Sequence, residues 1–456
     1  MGRKPFRILA FNSPSEMVFG KSKKKLEYGF GFKVGEGEVQ PEIKYFPRAR
    51  MLETPEKTLD AYRNITLRIL KKAVRLGMTS VQLETELPAM ITSDRELAYT
   101  VISEQKALLE KFHEECGLNT ALRVTVADIR NFSDPKKFEK DYGILLEAFE
   151  ASVDAGADVL SIESFGGKEV FSQALARGDI AGIIFSTGVL ASLDVERLWC
   201  DIVKEFKGKV LLGGDSGCAH ANSAMMLAGG FDRRLVSHVL AALVRVAATV
   251  RTLVAFECGA TGPGKDCAYE NVIIKAITGA PISILGKSSA CAHSSLIGNI
   301  TMSVCDLWSN ESVEDIKLFG GYAPEVFLEI LYYDTLFLNT ALKVGKEKEV
   351  KGILVDSELY RDPQTFILAP ENAFVVAKNI IREVDYLRRT INAVKTALLL
   401  IESNSEKLKL PEIELKIIRR LKTKIKEIEK WNDVPESLIE KYRKLARGFN
   451  PKLYGL

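Results

Sequence analysis

The chain has 456 residues, 46% of them hydrophobic and 27% charged, with a formal net charge of +3. That length suits one large barrel with additions, or two to three ordinary domains, and the composition is that of a soluble globular protein. So small a net charge excludes a global electrostatic pull toward nucleic acid or a membrane surface. Residues 1–6 lack an apolar signal core. The longest apolar stretch, 236–256, is broken by Arg245 and Arg251, so no membrane span is expected. Seven cysteines without a small-domain spacing point to free or metal-bound thiols in a reducing cytoplasm.

Residues 1–76 read as an N-terminal extension. A Gly-, Lys- and Pro-rich stretch, with a small strand or loop layer over 38–43, leads to a helix over Thr54–Leu76 that stops at Gly77. From 77 to 349 short apolar runs alternate with helical patterns. The runs are Ser80–Glu84, Leu122–Ala127, Val159–Glu163, Gly182–Ser186, Val210–Gly214, Leu253–Glu257, Ile282–Leu285 and Ile316–Phe319. The clearest helices are Ser93–Cys116, Pro135–Ala155, Leu193–Phe206, Ala219–Ala248 and Tyr269–Thr278. This rhythm predicts an α/β fold, a TIM (β/α)8 barrel. The last run, Ile316–Phe319, fits a helical turn equally well. A doubly wound open sheet is the rival, but the first strand–helix junction, Glu84-Thr85-Glu86-Leu87-Pro88, has no glycine for close approach to a phosphate. Residues 350–456 lose the strand rhythm and read as a helical extension, with helices over Ala373–Ile401 and Pro411–Glu429. Its end, 407–452, carries 14 Lys/Arg against 7 Asp/Glu, most simply a solvated basic face.

Polar residues close strand after strand: Glu84, Asp128, Glu163, Ser186, Asp215 and Glu257. An active-site rim requires such residues, although N-capping explains them as readily. The glycine-rich turn Gly213-Gly214-Asp215-Ser216-Gly217 places Cys218 at a helix start, where unpaired N–H groups favour a thiolate. A second glycine-rich loop carries Cys267 toward the helix from Tyr269, and Glu163 closes the Val159 run. Two thiolates and one carboxylate converging at one rim make a zinc set with a fourth position open. The residues alone leave other ligands in play. Cys218-Ala219-His220 is echoed by Cys291-Ala292-His293, Cys258 lies near the rim, and the chain has only four histidines. The stretch Gly259 to Lys265 imitates a phosphate loop, but Asp266 stands where a magnesium-binding hydroxyl is required.

Ser161-Ile162-Glu163-Ser164-Phe165-Gly166-Gly167-Lys168-Glu169, the string from Gly213 to His220 and the string from Ala255 to Cys267 resemble the zinc subunit of methanol:corrinoid methyltransferase. The likeness extends over nearly the whole chain, including Pro41-Glu42-Ile43-Lys44-Tyr45-Phe46-Pro47. It implies a TIM barrel whose zinc is held by Glu163, Cys218 and Cys267. It also implies a small corrinoid (cobalamin) protein as partner in a heteromeric complex, in methanogens and some acetogens. The methyl group of methanol then passes to that partner's cobalt. On this reading zinc polarises the methanol oxygen, and a proton donor comes from the rim carboxyls Glu84, Asp128, Asp215 or Glu257. The alternatives are a zinc enzyme using a methoxylated aromatic or a methylated amine or thiol, a metal-dependent lyase with a basic pocket, and a barrel that only scaffolds a corrinoid protein.

Overall fold

Short β-rich segments gather first into a hairpin, β1 (Lys21–Tyr28) and β2 (Phe32–Glu36), and then into a parallel ring. The computed structural model describes residues 2–229, 235–265, 267, 269–311 and 313–456. The ring contains β3 (Gln40–Phe46), β4 (Ser80–Leu87), β5 (Asn119–Val126), β6 (Val159–Ile162), β7 (Leu211–Asp215), β8 (Ser283–Leu285) and β9 (Leu307–Ser309). Their spatial order is β7-β6-β5-β4-β3-β9-β8, and a short β10 (Val313–Glu314) pairs with the end of β3. Between β7 and β8 the extended segment 260–265 takes the sixth place. The Thr261 and Gly262 N–H groups donate to the Leu212 carbonyl at 2.9 and 3.1 Å, and the Gly264 N–H donates to the Pro281 carbonyl at 2.9 Å. The ring is thereby closed as a TIM barrel. The hairpin covers its foot, where Tyr28, Phe32 and Val34 pack on Ala121, Val159 and Leu307.

Inward side chains recur every second residue along a strand, and in this barrel they are ionic. Arg123 of β5 donates to Glu42 of β3 at 3.0 Å and to Ser161 of β6 at 2.9 Å; Gln82 and Ser283 also donate to Glu42. A side chain on Gly213 would collide with Ser161 Oγ at 2.5 Å and Arg123 at 2.9 Å, so glycine there gives the guanidinium its room. One layer higher stand Lys44, Glu84, Thr125 and Lys265, all buried. Charge buried on this scale persists only when paired, and pairing fixes the inward register of the residues above it.

Several expected elements differ. The stretch 38–43, expected as a small layer, belongs to the first barrel strand, Gln40–Phe46. Gly182–Ser186 is not a strand. It lies in a continuous helical rod of Ile180–Ile183, a π-helical turn Ile184–Leu190 and Ala191–Phe206. Leu253–Glu257 is the end of the helix His238–Cys258, and the expected helix Ala219–Ala248 is two helices, Cys218–Gly229 and His238–Cys258. Fully buried apolar runs carry no period that separates helix from strand. Helix His238–Cys258 is long and apolar enough to cross a membrane, and it is wholly buried within the protein. Ile316–Phe319 contributes Lys317–Leu318 to a two-residue hairpin with Gly321–Tyr322, while the eighth strand is Leu307–Ser309. In the C-terminal region, Ala373–Ile401 divides into Pro370–Ile380 and Tyr386–Ser403, and Glu412–Ile428 forms as expected.

Candidate metal centre

Glu163 continues the inward register of Ser161, one residue beyond β6. Cys218 opens the helix after β7, and Cys267 follows the sixth-strand segment. All three therefore reach the carboxyl-end rim. Their ligand atoms lie within 4.8 Å of one another, with Cys267 Sγ 2.6 Å from Glu163 Oε1. Among the described residues no other three His, Cys, Asp or Glu side chains converge so closely. His220 packs edge-on against Phe171 with ring centroids 4.8 Å apart, and burial pushes its pKa well down, so it is neutral. His293 lies 3.2 Å from Ser289 Oγ, Cys291 is exposed, and Cys258 meets Cys200 instead.

Neighbours hold this trio in place. Ser216 Oγ lies 3.3 Å from Cys267 Sγ and accepts the Cys218 N–H at 3.1 Å. Asn222, one turn along the helix, donates to Cys218 Sγ at 3.1 Å and to the Cys267 carbonyl at 3.3 Å. Lys44 and Lys265 each bring Nζ within 3.5 Å of Glu163 Oε1. Lys44 also pairs with Glu86 at 2.7 Å, and Lys265 with Glu84.

Burial is the largest influence raising the Cys267 thiol well above its usual range, followed by its hydrogen bond with Cys218 and by the charges of Cys218 and Glu163. At Cys218 the hydrogen bond with Cys267 pulls down, while burial and the Glu163 charge carry the net direction upward. The helix start expected to favour the Cys218 thiolate is outweighed. Two thiols and a carboxylate crowded at one point repel once ionised, and the positive charge of a coordinated divalent cation would offset that repulsion and let both thiols ionise. Two sulfurs and one carboxylate oxygen are ligand types of zinc, so this donor set fits the ion with a position left open.

The four carboxyls expected at the rim have other work. Glu84 lies one layer below Glu163, taken by Lys265 and by the Thr125 hydroxyl at 2.7 Å. Asp128 accepts two bonds from the Arg130 guanidinium, at 2.8 and 2.7 Å, and the Phe165 N–H at 2.8 Å, which anchors the loop after Glu163. Asp215 accepts from Ser164, Trp199 and Arg251, tying the ends of β6 and β7 together. Glu257 is not at the rim. It ends a helix ahead of the sixth-strand segment, at the barrel's foot, gripped by Arg389 at 2.9 and 3.1 Å and by Arg3 at 2.9 Å.

A cavity of about 290 Å³ opens beside Glu163, walled by Phe46, Leu87, Pro88, Val126 and Phe165, with Glu86 and Asp128 as its other acids. Lys44, Lys265, Ser216, Asn222 and Glu86 also surround the trio, and no sequence motif singles them out. Asn222 was the most visible of these, because four residues after Cys218 is the same helix face.

A family model described as MtaB, methanol-cobalamin methyltransferase B subunit, matches residues 3–455. The chain is 38% identical over 460 residues to the methanol–corrinoid protein co-methyltransferase of Methanosarcina barkeri (strain Fusaro / DSM 804), covering 100% of both. The crystal structure of the methanol:cobalamin methyltransferase complex MtaBC from Methanosarcina barkeri matches with a TM-score of 0.95 and 38% identity, over 99% of this chain and 100% of that one.

Proposed function

The chain belongs to the methanol-cobalamin methyltransferase B subunit family, and from that premise we propose how its rim moves a methyl group from methanol to the cobalt of a corrinoid protein. The partner is a separate corrinoid-carrying chain in a heteromeric complex, which also supplies the corrinoid. We assign zinc to Glu163, Cys218 and Cys267. The observation that supports this is the convergence of their ligand atoms within 4.8 Å on the wall of an open cavity. A reducing cytoplasm, where free thiols persist, suits such a set.

Hydroxide is a very poor leaving group, and zinc held here supplies the Lewis acidity toward an alcohol oxygen that the reaction demands. The protein's own residues do the rest. Lys44 and Lys265 keep the Glu163 side chain aimed, since two ammonium groups flank one of its oxygens. Asn222 and Ser216 orient the two sulfurs. Phe46, Leu87, Pro88 and Val126 form an apolar wall that excludes water from the methyl carbon. The outer side of the mouth is open, which leaves room for a docked partner whose corrinoid would accept the methyl group there. Both oxygens of Asp128 are engaged by Arg130 and the loop it anchors. Glu86, paired with Lys44 on the cavity wall and reached by solvent, is therefore the carboxyl we assign to relay a proton between solvent and the departing oxygen.

The test is direct. Purified protein is assayed for zinc, then mixed with reduced corrinoid partner and methanol while cobalt absorption is followed. One zinc per chain and methanol-dependent loss of the reduced cobalt spectrum are expected. Full methyl transfer by protein that holds no zinc would refute the metal assignment.

A further inference from the structure

We infer that Cys200 and Cys258 are an oxidisable dithiol on the barrel flank, a modification site that takes a peroxide-class oxidant and closes to a disulfide. Their Sγ atoms lie 3.2 Å apart although 58 positions separate them in the chain. Cys200 sits on the helix Ala191–Phe206 and Cys258 ends the helix His238–Cys258. Packing of two rigid helices thus presents sulfur to sulfur, which gives the second thiol a very high effective concentration at the first. A disulfide bond is about 2.05 Å long, so the sulfurs need approach by only about one ångström. Among the described residues no third metal-ligating side chain joins this pair. Cys258 Sγ lies 3.8 Å from the Glu196 carbonyl oxygen, and the nearby carboxylates of Glu196 and Glu257 are held by Arg3 and Arg389. The pair is also remote from the mouth: Cys258 precedes the foot of the sixth-strand segment, whereas Cys267 follows its top.

The chemistry closes without further reagents. Cys200 is the more accessible sulfur, half-buried where Cys258 is buried. It attacks one peroxide oxygen, the O–O bond breaks, and water leaves, giving a sulfenic acid. The Cys258 sulfur then attacks the Cys200 sulfur, the S–O bond breaks, and a second water departs with the Cys258 proton. Two electrons pass from the two thiols to the peroxide, which ends as two waters.

Zinc-loaded, full-length protein is treated with dilute hydrogen peroxide, alkylated, and digested with trypsin without reductant. The expected product joins the peptide 198–204 to the peptide 252–265, with loss of two hydrogens. Cys116 and Cys291, both exposed, measure the oxidant dose within the same molecule. In Cys258→Ser, Cys200 accumulates as a sulfenic acid that a 1,3-dione traps; if that variant fails to fold, the wild-type cross-link decides alone. Cys200 and Cys258 remaining alkylatable at a dose that oxidises Cys116 and Cys291, or Cys200 joining a different cysteine, overturns the inference.

Discussion

Cys218 and Cys267 meet at the barrel mouth beside a carboxylate, two ammonium groups and an asparagine amide; Cys200 and Cys258 meet between two helices with a backbone carbonyl as their other close polar neighbour. In both places burial pushes a thiol up, at Cys267 and at Cys258. What differs is the third ligand. At the mouth Glu163 points at the sulfurs, and a divalent cation would relieve the crowding of three potential anions. On the flank the nearby acids are held by arginines, and among the described residues no third metal-ligating side chain joins the two sulfurs. Closeness of two thiols therefore does not define a metal site; the charge arranged around them does.

The strongest way to break this contrast is to remove sulfur at the mouth. Cys218→Ala or Cys267→Ala is expected to abolish stoichiometric zinc and lower methyl transfer by about a thousandfold or more, measured by metal analysis and the cobalt spectrum. Cys200→Ala is expected to leave both unchanged. Metal removal sharpens the same point. Chelated protein exposed to peroxide should lose the Cys218 and Cys267 thiols as well as the flank pair, while zinc-loaded protein keeps the mouth thiols, read by counting alkylated cysteines. Glu86→Gln should retain zinc yet slow transfer by about a hundredfold, a proton-handling loss rather than a metal-binding one.

Much of the mouth was legible in the sequence, and the flank was not. Glu163 and Cys218 each follow a strand in a polar or glycine-rich turn, and the period-2 register that aims Glu163 inward is visible in Ser161-Ile162-Glu163. Cys267 stands in a glycine-rich loop, although the run expected as its strand, Leu253–Glu257, is helix. Lys44 is hidden because its strand, Gln40–Phe46, begins in a stretch whose composition fits a peripheral layer. Lys265 was hidden because its segment holds the sixth strand's place through a few backbone bonds rather than a β-rich run. Glu257 was misplaced at the rim because Leu253–Glu257 is as apolar as a buried strand, while tertiary packing makes it helix. The Cys200–Cys258 meeting depends on how two helices cross, which no local pattern encodes.

Lys265→Met is the subtlest test of the claim that surrounding charge, not sulfur alone, makes the mouth a metal site. Lys265 is fully buried and pairs with both Glu84 and Glu163. Methionine fills similar space without the charge. Glu84 then keeps the Thr125 hydroxyl but loses the Lys265 ammonium, and removing one member of a buried pair costs about 3–5 kcal/mol. Glu163 keeps Lys44, so the trio should still bind zinc, with affinity lowered by about 10- to 100-fold as for other supports of metal ligands. Competition with a chromophoric chelator reads the affinity, and a denaturant titration reads the stability. If the variant is less stable but binds zinc as tightly as wild type, Lys265 serves the barrel interior alone and Lys44 suffices to hold Glu163. If both fall together, the ionic layer under the rim is what aims the carboxylate at the sulfurs.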